Sequence, residues 1–192
     1  MVGNDIIDLE KTRRASDWQR PGFLQKIFTP LEQSIIAAAE DPFTTVWQLW
    51  SMKESAYKIF IQAGGARFYN PSKLACHLIS HTDGEVKMNS LLLKTTTLFH
   101  PDYLFTVAKL NNIEVTNAIF PLSSNNREQQ SKQLYQQLID DYALIQQLNP
   151  ILLSIQKLTS GVPILHYNQE PILTAISITH HGKYGAYSFC NH

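Results

Sequence analysis

A chain of 192 residues is long enough to bury a sizeable hydrophobic core, and its sixteen acidic side chains cancel its sixteen basic ones. That balance excludes the basic excess on which nucleic-acid and anionic-membrane surfaces depend. No apolar run reaches the ~20 residues that cross a bilayer, and Asn4 and Asp5 come too early for a signal peptide, so a soluble cytoplasmic protein is expected.

Residues 2–9 (VGNDIIDL) read as a short strand, with Ile6, Ile7 and Leu9 as its apolar content and Asp5 as a polar interruption. A basic stretch holding Lys11, Arg13, Arg14 and Arg20 follows. Thr29-Pro30-Leu31-Glu32 then predicts a helix start. Thr29 can cap, Pro30 suits the first helical position and Glu32 completes a capping box. This helix is expected to end near residue 40.

The segment 45–62 is the most periodic in the chain. Val46, Trp47, Leu49, Trp50, Tyr57, Phe60 and Ile61 recur at helical spacing, and Gly64-Gly65 provides a stop. Period-two patterning then predicts strands over 74–79, 85–93, 103–110 and 113–120, with turns at Asp83-Gly84 and Asn111-Asn112. A glutamine-rich amphipathic helix is expected over 126–148, through Leu134, Leu138, Ile139, Tyr142 and Ile145. Strands over 151–158, 163–167, 172–179 and 184–189 complete the chain, with turns at Gly161 and His181-Gly182-Lys183. No repeat recurs at a fixed period. The pattern predicts a single α+β domain over 1–192, with helices packed on an antiparallel sheet.

Three segments could carry chemistry. In Gly3-Asn4-Asp5-Ile6-Ile7-Asp8 a carboxylate stands within an apolar strand, where burial is costly unless it is paired or holds a metal. The same residues also suit a surface strand bracketed by Asp5 and Asp8. Gly3 lets backbone or ligand come close. In the helix around Trp50–Lys58, Glu54 and Lys58 share a face four residues apart, with Lys53 about 100° away. That face can hold a divalent cation by its carboxylate and meet phosphate with its lysines, and it is equally the ordinary stabilising pair of a solvated helix.

In the third segment, Ile176–Gly182, alternation puts Ser177 and Thr179 on one face, with His180 at the strand end, where hydroxyls and imidazole suit phosphate. His77 and His81 are expected to face outward. Walker, GxGxxG, GxSxG and HExxH patterns are absent. Cys76 and Cys190 lack disulfide or zinc spacing and read as small core hydrophobes in a reducing compartment.

In order and spacing, Gly3-Asn4-Asp5, Trp50-Ser51-Met52-Lys53-Glu54-Ser55 through Lys58, and Ser177-Ile178-Thr179-His180 resemble the 4′-phosphopantetheinyl transferase superfamily. The family pattern is a Gly-x-Asp strand, a Trp/Phe-x-x-Lys-Glu-[Ala/Ser]-x-x-x-Lys helix and a late Ser-x-[Ser/Thr]-His strand. Gly161-Val162-Pro163-Ile164-Leu165 also looks like the family's Gly-x-Pro segment. The resemblance implies a transferase of the holo-acyl-carrier-protein synthase type. Such an enzyme moves the 4′-phosphopantetheine group of coenzyme A onto a serine of an apo acyl or peptidyl carrier protein.

It further implies Asp5 and Glu54 as Mg²⁺ ligands, with the coenzyme A pyrophosphate completing the octahedron. Lys58, and less directly Lys53, would meet the phosphates, while His180 and Ser177 would lie near the nucleotide. Glu54 and Lys58 are the implied catalytic residues. Glu54, water on the metal or Lys58 could accept the serine proton. Tandem members carry a further acidic ligand two residues after the first Asp, where this chain has Ile7. The metal site therefore resembles that of the small single-domain synthases, whose sites are shared between subunits, and a homo-oligomer is implied. A non-catalytic relative that binds coenzyme A or a carrier protein is the alternative the same motifs allow.

Overall fold

The computed structural model describes residues 1–190. Strand β1 (Val2–Asp8) leads directly into α1 (Leu9–Ala15), which Asp8 caps by accepting the Lys11 amide proton. Helix α2 (Phe23–Ile27) and then α3 (Pro30–Ala38) follow. The sequence signals neither α1 nor α2, because seven and five residues are too few for a helical period to stand out. The start of α3 is as expected. The Thr29 hydroxyl accepts the Glu32 amide, and the Glu32 carboxylate accepts the Thr29 amide.

Helix α4 (Pro42–Gln62) begins ahead of its periodic stretch, since Asp41 caps it through the Thr44 amide and Pro42 takes the first position. Gly64, at φ 86°, ends it. Strands β2 (Ala75–Leu78), β3 (Asp83–Met88), β4 (Leu91–Phe99) and β5 (Tyr103–Lys109) join β1 in an antiparallel sheet of order β1-β5-β4-β3-β2. The single strand expected over 85–93 is in fact a hairpin, split where Asn89 takes φ 53°. Asp83-Gly84, expected to turn, instead opens β3.

The remainder holds β6 (Val115–Pro121), α5 (Arg127–Gln146), β7 (Leu153–Lys157), β8 (Pro163–Tyr167), β9 (Glu170–Pro171), β10 (Ile176–His181) and β11 (Tyr184–Cys190). They form two further antiparallel sheets, β10-β11-β6 and β7-β8-β9. The α+β class holds, with three sheets where the sequence suggested one. One plan occurs twice: a strand, a long helix, then strands, the last of which pairs with the first. It joins β1 to β5 and β6 to β11. No sequence period betrays it.

Apolar side chains gather accordingly. Leu49, Met52, Ile59, Leu93 and Leu104 pack between α4 and the larger sheet, while Leu138, Tyr142, Leu165 and Phe189 pack beneath α5. Ile6, Phe105 and Ala186 bridge the two halves. Cys76 and Cys190 are buried and free, in keeping with their reading as core residues. Among the described residues no helix is long and apolar enough to cross a membrane.

Two contacts position the site. A Cβ at Gly3 would overlap the Ser55 carbonyl, so β1 lies directly on the backbone of α4. On its other side β1 meets β10. The Asn4 amide donates to Ser177 Oγ at 3.0 Å, and Ser177 Oγ donates to Asn4 Oδ1 at 2.8 Å. Asn4 Nδ2 donates to the Ser177 carbonyl and to Ser188 Oγ.

Candidate active site

With β1 pressed onto α4, the carboxylates of Asp5 and Glu54 and the ammonium of Lys58 fall within one electrostatic cluster. Thr179, from β10, donates its hydroxyl to Asp5 Oδ1 at 3.2 Å. Asp5 Oδ2 is buried and has no hydrogen-bond partner among the described residues. Burial pushes the Asp5 carboxyl up to about 6, against the pull of Lys58 and of the Ser51 and Thr179 hydroxyls. Glu54 is raised to about 7 by burial and then by the negative charge of Asp5, with Lys58 opposing. Burial lowers Lys58, which both carboxylates counteract. Two desolvated carboxylates that disfavour each other's charge, one with an orphaned oxygen, form a place for a cation.

Lys58 donates to the carbonyls of Asn4 and Ile178, so its Nζ clasps β1 to β10 and keeps one proton for another acceptor. Beside the carboxylates lies a cavity of about 560 Å³, whose lining includes Trp50, Arg20, Lys26 and the exposed His180. His180 and His181 also border a basin of about 520 Å³ with Lys11, Arg127 and Lys183. Burial, then Arg127, Lys58, Lys157 and Lys11, holds the His180 imidazole below its usual pKa, which marks the surroundings as cationic.

A family model described as the 4′-phosphopantetheinyl transferase superfamily matches residues 1–108, more than half of the chain. The chain belongs to that superfamily. Its activity class is therefore phosphopantetheine transfer. No curated protein matches it in sequence. The matched stretch contains Asp5, Glu54 and Lys58, whereas Ser177 and His180 lie beyond it.

The structure bears on several expectations about this phosphopantetheinyl transferase. Lys53 does not reach the cleft. It is fully buried, with Nζ 2.8 Å from both Glu32 oxygens and further bonds to the carbonyls of Pro71 and Leu74. A residue 100° round a buried helix from Glu54 necessarily points into the core. The Ser177 hydroxyl is donor to and acceptor from Asn4, so it ties β10 to β1, where Ser177 also borders a cavity with Glu54 and Lys58.

Strand β10 of the same chain supplies Thr179 beside Asp5 and the Ile178 carbonyl beside Lys58. Asp8 turns away from the cleft: its carboxylate caps α1 and accepts the Lys183 amide, while the Asp8 amide donates to His181 Nδ1. The sequence reading missed Asn4, Lys11 and Arg127. Asn4 lay inside the Gly-x-Asp motif, and the N-terminal position of Arg127 on α5 was visible in the Asn126 cap.

The raised carboxylates make a prediction about pH. In the folded transferase Glu54 keeps its proton to about pH 7, whereas unfolded glutamate releases it near 4.5. The folded state thus binds more protons between these values, and stability falls as pH rises through them. With divalent metal chelated, Glu54→Gln is expected to exceed the parent in stability by roughly 3 kcal/mol at about pH 8. The gain should vanish near pH 4.5, and denaturant melts across that range measure it. A gain that is the same at every pH would refute the assignment.

Proposed function

We propose that this chain transfers the 4′-phosphopantetheine group from coenzyme A to the side-chain hydroxyl of a serine on an apo acyl or peptidyl carrier protein, with Mg²⁺. The observation that carries the reading is the half-buried Asp5–Glu54 pair with its unpartnered Asp5 Oδ2, adjoining Lys58 and a cationic basin. Among the described residues no group of three or more His, Cys, Asp or Glu side chains gathers as a cage. Two carboxylates are nevertheless the protein share that Mg²⁺ takes when phosphates and water supply the rest. Asp5 and Glu54 would hold the ion, and when bound it would neutralise charge on the phosphate under attack and on the departing 3′,5′-ADP.

The chain's own residues supply the remainder. Lys11, Arg127 and Lys183 offer positive charge to the nucleotide phosphates, and His180 offers a further N–H donor. Lys58, fixed by two carbonyls, directs its remaining N–H toward the reacting phosphate or the carboxylates. The serine oxygen forms a bond to phosphorus as the bond to the 3′,5′-ADP oxygen breaks, and the serine proton must leave. The Glu54 carboxylate and the Lys58 amine are the groups of this chain at hand to take it.

The test is to incubate the protein with coenzyme A, Mg²⁺ and an apo carrier protein and to weigh the carrier. A gain of one phosphopantetheine supports the proposal. Coenzyme A binding without a mass gain would replace it with a non-catalytic binding relative, and absence of both would overturn both readings.

A further inference from the structure

At the turn His181-Gly182-Lys183 the second half of the chain grips the first. Strand β10 ends at His181, and Gly182, at φ 59°, reverses the chain into β11. A Cβ at Gly182 would overlap the Asp8 carboxylate, so glycine lets the turn lie against the junction of β1 and α1. There the Asp8 carboxylate accepts the amides of Lys11 and Lys183, and the Asp8 amide donates to His181 Nδ1 at 3.0 Å. From α5, Gln130 donates to the Gly182 carbonyl. The turn therefore joins three pieces of the cationic basin: α1 with Lys11, α5 with Arg127, and Lys183 itself.

The bond from Asp8 fixes the state of the His181 ring. A backbone N–H only donates, so Nδ1 is the bare nitrogen of a neutral imidazole and the ring proton sits on Nε2. Protonation would set an Nδ1–H against the Asp8 N–H, two donors with no acceptor between them. The surroundings favour the neutral ring. Burial first, and the Lys11 charge next, hold His181 below its usual pKa; Asp8 opposes them and His180 adds to them. Arg127 and Lys183, on the same basin, bring further positive charge.

We propose that His181 is a positioning residue: as a neutral imidazole it accepts the Asp8 amide and holds α1, with Lys11, at the basin, and on protonation it lets α1 go. The inference rests on the reading of that basin as the place of the nucleotide phosphates. On charge alone, a protonated His181 would strengthen the hold on a phosphate, since it adds a cation beside Lys11, Arg127 and Lys183. Positioning gives the opposite sign, because Lys11 loses its place. The unfolded chain binds the His181 proton more readily than the folded one. The bond therefore contributes above the ordinary imidazole value of 6.5 and is lost as the pH falls below it.

The test compares the parent with His181→Asn, whose side-chain carbonyl accepts the Asp8 amide and does not titrate, and with His181→Phe, which offers no acceptor. Hydrogen exchange at the Asp8 amide reads the bond without any ligand, and calorimetry with 3′,5′-ADP in the presence of a chelator reads the basin. Between about pH 7.5 and pH 5.5 the parent is expected to lose roughly tenfold in Asp8 protection and roughly fivefold in 3′,5′-ADP affinity relative to His181→Asn. Titration of the ligand and of His180 is common to both proteins and cancels in that ratio. His181→Phe is expected to be weak in both readouts at either pH. Should His181→Asn fail to fold, His181→Gln carries the same carbonyl and takes its place. Equal pH dependence in the parent and the carbonyl variant, or tighter 3′,5′-ADP binding by the parent at about pH 5.5, would overturn the inference. Failure of the parent to bind 3′,5′-ADP at about pH 7.5 would overturn the phosphate reading of the basin, and Asp8 exchange alone would then uphold or overturn the hold of His181 on α1.

Discussion

Asp5→Ala and Glu54→Gln are each expected to lower phosphopantetheine transfer about a thousandfold or more while the chain stays folded. Charge neutralisation at a phosphoryl centre contributes several kcal/mol, and ~4 kcal/mol corresponds to about three decades in rate. The fold should survive because each carboxylate carries a burial cost that offsets what its few contacts contribute. Asp5 Oδ2 has no partner among the described residues, and burial works against the charged form of both groups. The carrier mass assay at saturating Mg²⁺ reads the rate, and thermal melts read the fold. A Glu54→Gln protein that turns over at nearly the parent rate would sink the metal assignment.

Lys53→Met is expected to fail in the opposite way, by loss of stability. Lys53 and Glu32 are at most 1% exposed, and Glu32 also receives the amides of Thr29 and Cys76. Removing the ammonium leaves a buried carboxylate without its counter-ion, which costs about 3–5 kcal/mol. For a chain of this size that amounts to a fall of roughly 10 °C in melting temperature. The double variant Glu32→Gln with Lys53→Met removes both charges and should recover much of the loss. If Lys53 met coenzyme A, Lys53→Met would melt like the parent and lose ligand affinity, so a melt and a titration together decide between the roles.

Lys53 and Glu54 mark where the sequence stops being readable. Both belong to one motif and differ by a single step on the helix, yet one faces a core and the other a cleft. Helical periodicity gave α4 and its glycine stop, and the capping box gave the start of α3. Alternation gave the pairing of Ser177 with Thr179 on one face of β10, which proves to be the face against β1. The split between β3 and β4 escaped because Asn89-Ser90 carries no glycine and the apolar pattern runs on through it. The duplicated plan of the two halves escaped because topology is kept by pairing partners, and their side chains need not repeat. It also brings β10 of the second half against β1 of the first, where Thr179 meets Asp5.

The bonds between Asn4 and Ser177 span 173 residues of chain. Synthesis on the ribosome runs from N- to C-terminus, so Asp5, Glu54 and Lys58 precede β10 and wait for it. Bringing segments so distant together costs chain entropy before any contact offsets it. Until then Asn4 lacks its partners, Asp5 lacks Thr179, and Lys58 lacks the Ile178 carbonyl. A growing chain therefore carries Asp5, Glu54 and Lys58 before the strand that frames them, and their arrangement is complete only once β10 has been made.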